Sequence, residues 1–235
     1  MKKDKIILFG MIVFVVVFSP FSSAGSIIHI CSGRTQSIDS PIVLITGFEP
    51  FDIYDVNPSQ LIAETLDGQV IDGADVVGIV LPVDFDMSVE NATHAIEDYN
   101  PILVISLGLS PRTHFINVEN YGVNLKKLPR NESPWILPRR IDPCGPFIRS
   151  SSLNTREVVT EIRNADISAK QSFFAGMYVC NAVLYKMLGY IDEHELSTKA
   201  GFIHVPLLIS QDPYGMDLEA MVEAVIIAIT TSLKK

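Results

Sequence analysis

Between residues 42 and 206 the sequence alternates two kinds of segment, and no other feature narrows the fold as far. Short runs rich in β-branched and aliphatic residues occur at 42–46, 75–80, 102–107 and 201–206, bounded by Gly, Pro, Asn or Asp. Runs this short read as buried strands, since a helix would need a longer stretch. Segments with helical spacing occur at 58–66, 86–99, 154–164, 181–191 and 217–233. Asn57-Pro58-Ser59 opens the first helix, with a capping side chain followed by a proline where a missing N–H does no harm. Asn100-Pro101 closes the second, because the residue before proline is driven out of the helical region. Strands that alternate with helices are joined by crossovers that lay the helices over the sheet. The expectation is an α/β fold: a single domain over 41–235, with a twisted, largely parallel sheet and helices on both faces. A further short strand is expected at 173–179, and residues 126–152, rich in Pro and Arg, read as a loop.

The composition is that of a globular chain, 48% hydrophobic and 19% charged over 235 residues, which is enough to enclose one core. A net charge of −9 argues against a nucleic-acid partner, since phosphate binding needs a basic surface and Lys126-Lys127 and Arg139-Arg140 are isolated pairs. The N-terminus departs from this pattern. Lys2, Lys3 and Lys5 precede an uncharged run at 6–18, followed by Ser19-Pro20 and the small residues Ser22-Ser23-Ala24. That is the layout of a secretory leader, and the run is shorter than the roughly 20 residues of a spanning helix. A signal peptide over 1–24, cleaved near Ala24, an arm over 25–40 and an exported, periplasmic or secreted protein are therefore expected; an uncleaved membrane anchor is the second reading. Cys31, Cys144 and Cys180 are the three cysteines. An odd number in an exported chain suggests one disulfide and one free thiol, and counting leaves open which two pair.

Four segments carry residues suited to chemistry. Gly47-Phe48-Glu49-Pro50-Phe51 follows the first strand, where open α/β sheets bind ligands, and its two aromatics could flank a small flat ring. Taken alone, Phe48 and Phe51 are more often core packing. Cys180, in Met177-Tyr178-Val179-Cys180-Asn181, stands where a helical run begins. A helix N-terminus favours a thiolate, and its free N–H groups can hold an oxyanion. The commoner place for a lone Cys is still the core. His204 interrupts the apolar run Gly201-Phe202-Ile203-His204-Val205-Pro206, and with a nearby Cys it could complete a Cys–His pair. Glu119, in Val118-Glu119-Asn120-Tyr121-Gly122, could orient that imidazole. There is no His-Glu-x-x-His, no paired Cys-x-x-Cys, no Gly-x-Ser-x-Gly and no phosphate-binding Gly-rich loop, so no metal or nucleotide site is expected.

In order and spacing these segments resemble pyroglutamyl peptidase I, the pyrrolidone-carboxylate peptidase family of cysteine peptidases, from about Ile42 to the last helix. The resemblance implies Cys180 as nucleophile, His204 as base and Glu119 as the acidic third member, with Phe48, Phe51 and Tyr178 lining a pyroglutamyl pocket. It implies N-terminally pyroglutamylated peptides as substrates, no cofactor and a homotetramer. The chain departs from the family pattern at Asn120-Tyr121-Gly122, at Tyr178 and at Cys144, where the family has Gly. With Cys180 assigned to catalysis, a Cys31–Cys144 disulfide is the implied pair. Two rival functions remain: a peptide-binding protein on the same fold without activity, and another thiol hydrolase or acyltransferase.

Overall fold

The structure, a computed structural model, describes residues 40–127 and 137–234. The leader, nearly all of the arm, and Cys31 fall on residues outside that range. In chain order the described elements are β1 (Ile42–Phe48), α1 (Pro58–Leu66), β2 (Val70–Ile71), β3 (Ala74–Leu81), α2 (Phe85–Tyr99), β4 (Leu103–Leu109), β5 (Ile116–Glu119), β6 (Tyr121–Val123) and β7 (Ile148–Ser150). They continue with α3 (Thr155–Asn164), β8 (Ala169–Ser172), α4 (Val179–Glu193), β9 (Lys199–Val205) and α5 (Leu218–Leu233).

A seven-stranded sheet runs in the order β2-β3-β1-β4-β9-β5-β8. β3, β1, β4 and β9 are parallel, β2 and β5 are antiparallel to their neighbours β3 and β9, and β8 runs parallel to β5. β6 and β7 form a separate antiparallel ribbon. Because side chains alternate along a strand, the central strands feed two cores. Val43, Ile45, Ile105 and Ile203 pack with Ile62 of α1, Val158 and Ile162 of α3, and Val225 and Ile229 of α5. Leu44, Val104 and Phe202 pack on the other face with Ile96 of α2 and Val183, Leu184 and Met187 of α4. The sheet is thus covered on both sides, as the runs without alternation require.

Two helix starts follow their caps. Asn57 Oδ1 accepts from the Ser59 N–H at 3.1 Å with Pro58 at the first helical position, and Asp84 Oδ1 accepts from the N–H groups of Asp86 and Met87. Asn100 takes the left-handed conformation, φ 42°, that closes α2.

Residues 173–179 are not a strand. The edge strand β8 ends at Ser172, Gly176 turns the chain at φ 86°, and Phe173, Phe174 and Tyr178 lie exposed. The apolar pattern there is a loop of surface aromatics. β7 lies inside the segment read as a loop; β5, β6 and β8 were likewise not expected, being short and mixing polar with apolar residues.

Asn57 does more than cap α1. Its Nδ2 donates to the Glu49 carbonyl at 3.0 Å, and its Oδ1 also accepts from the Ser59 hydroxyl at 2.8 Å. Substituting Asn57 by Ala is expected to lower the unfolding free energy by about 1–2 kcal/mol, read from urea denaturation of the two proteins.

Candidate active site

The parallel register aligns three strand ends. Gly108 of β4 pairs with His204 of β9, and the β1–β4 register, continued two residues, sets Phe48 level with Gly108. The chain leaves β1 toward β3 on one side and returns to β4 on the other. The crevice outside these carboxyl ends is where such sheets take ligands.

The antiparallel pairing of β5 with β9 brings in the carboxylate. Asn117 pairs with His204, Val118 with Ile203 and Glu119 with Phe202. Val118 and Ile203 turn into the core under α1, α3 and α5. Glu119, Phe202 and His204 therefore share the opposite face, beneath α4. There His204 Nδ1 donates to Glu119 Oε1 at 2.8 Å, with Glu119 2% and His204 9% exposed. The Phe202 ring lies 4.8 Å from the imidazole, centroid to centroid, and helps to hold its plane.

Cys180 arrives from above as the second residue of α4. Tyr178, at the N-cap, contributes no side-chain hydrogen bond, and the first intrahelical bond of this turn runs from the Ala182 N–H to the Tyr178 carbonyl at 3.1 Å. The N–H groups before Ala182 point out of the helix without an intrahelical acceptor. Asn181 fixes where this turn sits. It is fully buried, accepts from the Val123 N–H at 2.8 Å, and donates to the carbonyls of Val123 at 2.8 Å and Leu125 at 2.9 Å. Its amide thus pairs with the backbone of β6 as a neighbouring strand would. Nothing in the sequence marked Asn181 except its place after Cys180.

With Nδ1 engaged by Glu119, the other imidazole nitrogen is left for Cys180. Burial alone would lower the His204 pKa. The hydrogen bonds to Cys180 and Glu119, and the charges on both, outweigh it and raise the value from 6.5 to about 10.

The expected pocket aromatics are distributed differently. Phe48 is 2% exposed and belongs to the core under α2 and α4. Phe51 is half-buried, its ring edge-on to Tyr54 at 5.8 Å, and Tyr178 is 50% exposed at the mouth of α4. The departures at 120–122 have structural roles. Asn120 joins β8 and α3, donating to the Ser172 carbonyl at 2.9 Å and accepting from the Thr155 hydroxyl at 2.6 Å. Tyr121 packs on Phe173, and a Cβ at Gly122 would come within 2.9 Å of the Tyr185 backbone. Cys144 is exposed, in a turn held by Asp142, and its implied disulfide partner Cys31 lies outside the described residues. A cavity of about 350 Å³ between α2 and α4 is lined by Phe85, Val89, Lys126, Ala182 and Lys186 and touches none of Cys180, His204 and Glu119.

A thiol on an uncapped helix end, facing a buried imidazole and carboxylate at the ends of parallel strands, is the arrangement of a thiol hydrolase on an α/β scaffold. Comparison with known proteins narrows the class. The pyroglutamyl peptidase family profile matches residues 42–235. Pyrrolidone-carboxylate peptidase 1 of Caldanaerobacter subterraneus subsp. tengcongensis is 36% identical over 200 residues, covering 82% of this chain and 98% of its own. The solved pyrrolidone carboxyl peptidase of Thermococcus litoralis superposes with a TM-score of 0.75 at 34% identity, over 82% of this chain and 93% of that one. A mutant of the Pyrococcus furiosus enzyme gives 0.77 at 34% identity, over 83% and 99%. The chain belongs to the pyroglutamyl peptidase family and is a hydrolase of the cysteine peptidase class.

The same comparisons correct the reading of the N-terminus. The family match begins at residue 42, and 82% of this chain covers 98% of the Caldanaerobacter relative, which therefore has no counterpart of residues 1–41. The expectation of a signal peptide and of an exported, periplasmic or secreted enzyme is withdrawn: it rested on the pattern of charged, apolar and small residues, and neither the family match nor this relative includes such a segment.

The raised His204 pKa ties stability to pH. The folded state holds this proton more tightly than the unfolded state, so the stabilisation is complete below pH 6.5 and is lost as pH rises through about 10. The urea midpoint is expected to fall across that interval in the wild type, and to fall less in His204→Gln.

Proposed function

We propose that this chain hydrolyses the bond after an N-terminal pyroglutamyl residue, using Cys180 as nucleophile, His204 as acid and base, and Glu119 as the group that orients His204. The observation that carries this reading is the buried 2.8 Å contact between His204 Nδ1 and Glu119 Oε1, with Cys180 among the groups that raise the His204 pKa. Membership of the family supports the substrate.

The reaction is acyl transfer. The Cys180 thiolate attacks the pyroglutamyl carbonyl carbon, a C–S bond forms, and the oxygen takes up the negative charge. The N–H groups of the first turn of α4 stabilise that oxyanion. His204 gives its proton to the leaving amine as the C–N bond breaks, and the peptide departs with a free N-terminus. Water then gives a proton to His204 and attacks the thioester, pyroglutamate is released, and the thiolate returns. Glu119 keeps the Nδ1 proton in place, so that only the nitrogen facing Cys180 exchanges protons.

A pyroglutamyl residue carries no charged amine. The rings of Phe51 and Tyr178 would flank the lactam, with Phe48 packed beneath the same loop. Hydrogen bonds to the lactam N–H and C=O would exclude proline, since each group left unpaired costs about 1–3 kcal/mol. The implied homotetramer is part of the same proposal, and light scattering of the purified chain tests it.

Release of a fluorescent amine from a pyroglutamyl amide by the reduced protein is expected. No release is expected from the proline amide or from Cys180→Ser. Turnover of proline or glutamine amides ahead of the pyroglutamyl amide would point to a different thiol hydrolase. Binding of pyroglutamyl peptide without turnover would point to an inactive relative. Glu119→Gln is expected to lower kcat by about 100-fold or more, with a smaller change in KM, in the same assay.

A further inference from the structure

Gly108, the next-to-last residue of β4, pairs directly with His204, and its missing side chain opens the space that the Cys180 thiol occupies. A Cβ built on Gly108 would lie 2.8 Å from Cys180 Sγ, 2.9 Å from Phe202 Cζ and 3.1 Å from Phe202 Cε1. Contacts that short are not tolerated between unbonded atoms, so something must shift. Phe202 is fully buried in the core under α2 and α4, and its ring lies against the imidazole. The thiol is less constrained: it sits on a single rotatable bond, and Cys180 is only partly buried. Strand parity points the same way. Val104, Ser106 and Gly108 face α4, where Val104 joins the α2/α4 core and Ser106 contacts Met187. The first turn of α4 is held from the other side by Asn181, so the helix cannot back away to make room.

We propose that Gly108 is a positioning residue that sets the Cys180 thiol against His204, the absence of a Cβ there defining which rotamer the thiol adopts. This rests on the roles proposed for Cys180 and His204. Gly108 itself touches no reacting atom other than the thiol it makes room for. A methyl group at this position would push Sγ out of line with the imidazole and separate the two groups that exchange a proton. The strand pairing of β4 would be left intact, because alanine is compatible with an extended backbone and φ of Gly108 is not in the left-handed range.

The test is the variant Gly108→Ala, made with Cys31→Ser and Cys144→Ser so that Cys180 is the one thiol left. Alkylation of Cys180 by iodoacetamide is followed against pH, with no substrate present. A thiol paired with an imidazole reacts at lower pH than an isolated one. Gly108→Ala is expected to move the midpoint of that profile upward by about one unit. It is also expected to lower kcat on the pyroglutamyl amide by about tenfold or more with KM changed by less than about twofold. An unshifted alkylation profile in a folded variant overturns the proposal and leaves Gly108 as simple packing against Phe202. Because alkylation needs no substrate, it decides the matter even if the pyroglutamyl amide is not a substrate.

Should Gly108→Ala fold poorly, its melting temperature is compared with and without Cys180→Ala. Recovery of more than half the lost stability in the double variant supports the contact with the thiol. Equal loss in both backgrounds overturns it.

Discussion

A carboxylate and an imidazole share a hydrogen bond in the interior between β5 and β9, and much of the architecture serves to make that pair tolerable. Taking either group out of water costs several kcal/mol unless it is paired. Glu119 and His204 pair at 2.8 Å. Among the described residues, Glu119 Oε2 is buried without a hydrogen-bond partner. The antiparallel run of β5 beside the parallel strands β1, β4 and β9 is what delivers Glu119 to this place. With β5 parallel to β9, neither the register nor the approach would match.

The placing of the Cys180 thiol depends on a second device, which fixes a helix end from its underside. α4 begins without a side-chain cap, so its first N–H groups are available to a ligand. A helix end with no cap has to be held by something else. Asn181 holds it, pairing with β6 through Val123 and Leu125. β6 can approach that closely because Gly122 passes over Tyr185. The Asn120-Tyr121-Gly122 segment is therefore part of the scaffold behind Cys180. Tyr185 continues that scaffold, donating to the Pro146 carbonyl at 2.7 Å and lying under the Arg149 guanidinium.

The sequence and the structure agree where the forces are local. The apolar runs at 42–46, 75–80, 102–107 and 201–206 became β1, β3, β4 and β9, because fully buried parallel strands carry an unbroken apolar signal. Asn57 and Asn100 marked helix ends through their own side chains and backbones. Agreement fails at the sheet edge. β8 reads Ala-Lys-Gln-Ser, with no signal of its own, and is a strand only because β5 lies beside it. Phe173 and Phe174 have the apolar character of a strand and are exposed loop, the chain having left β8 at Ser172 and turning at Gly176.

Cys180, His204 and Glu119 were legible as candidates from residue type and setting, and as a set only through resemblance to a family. Their chemistry was not legible, because it lies in contacts between distant positions. The His204–Glu119 bond spans 85 residues and follows from the β5–β9 register, which no local preference encodes. The closeness of Gly108 to the Cys180 thiol follows from packing α4 on the end of β4. Residue identity supplied the thiol, the imidazole and the carboxylate. Strand order, register and the pinned start of α4 placed them together, since only packing over the whole sheet can set distances between side chains so far apart in the chain.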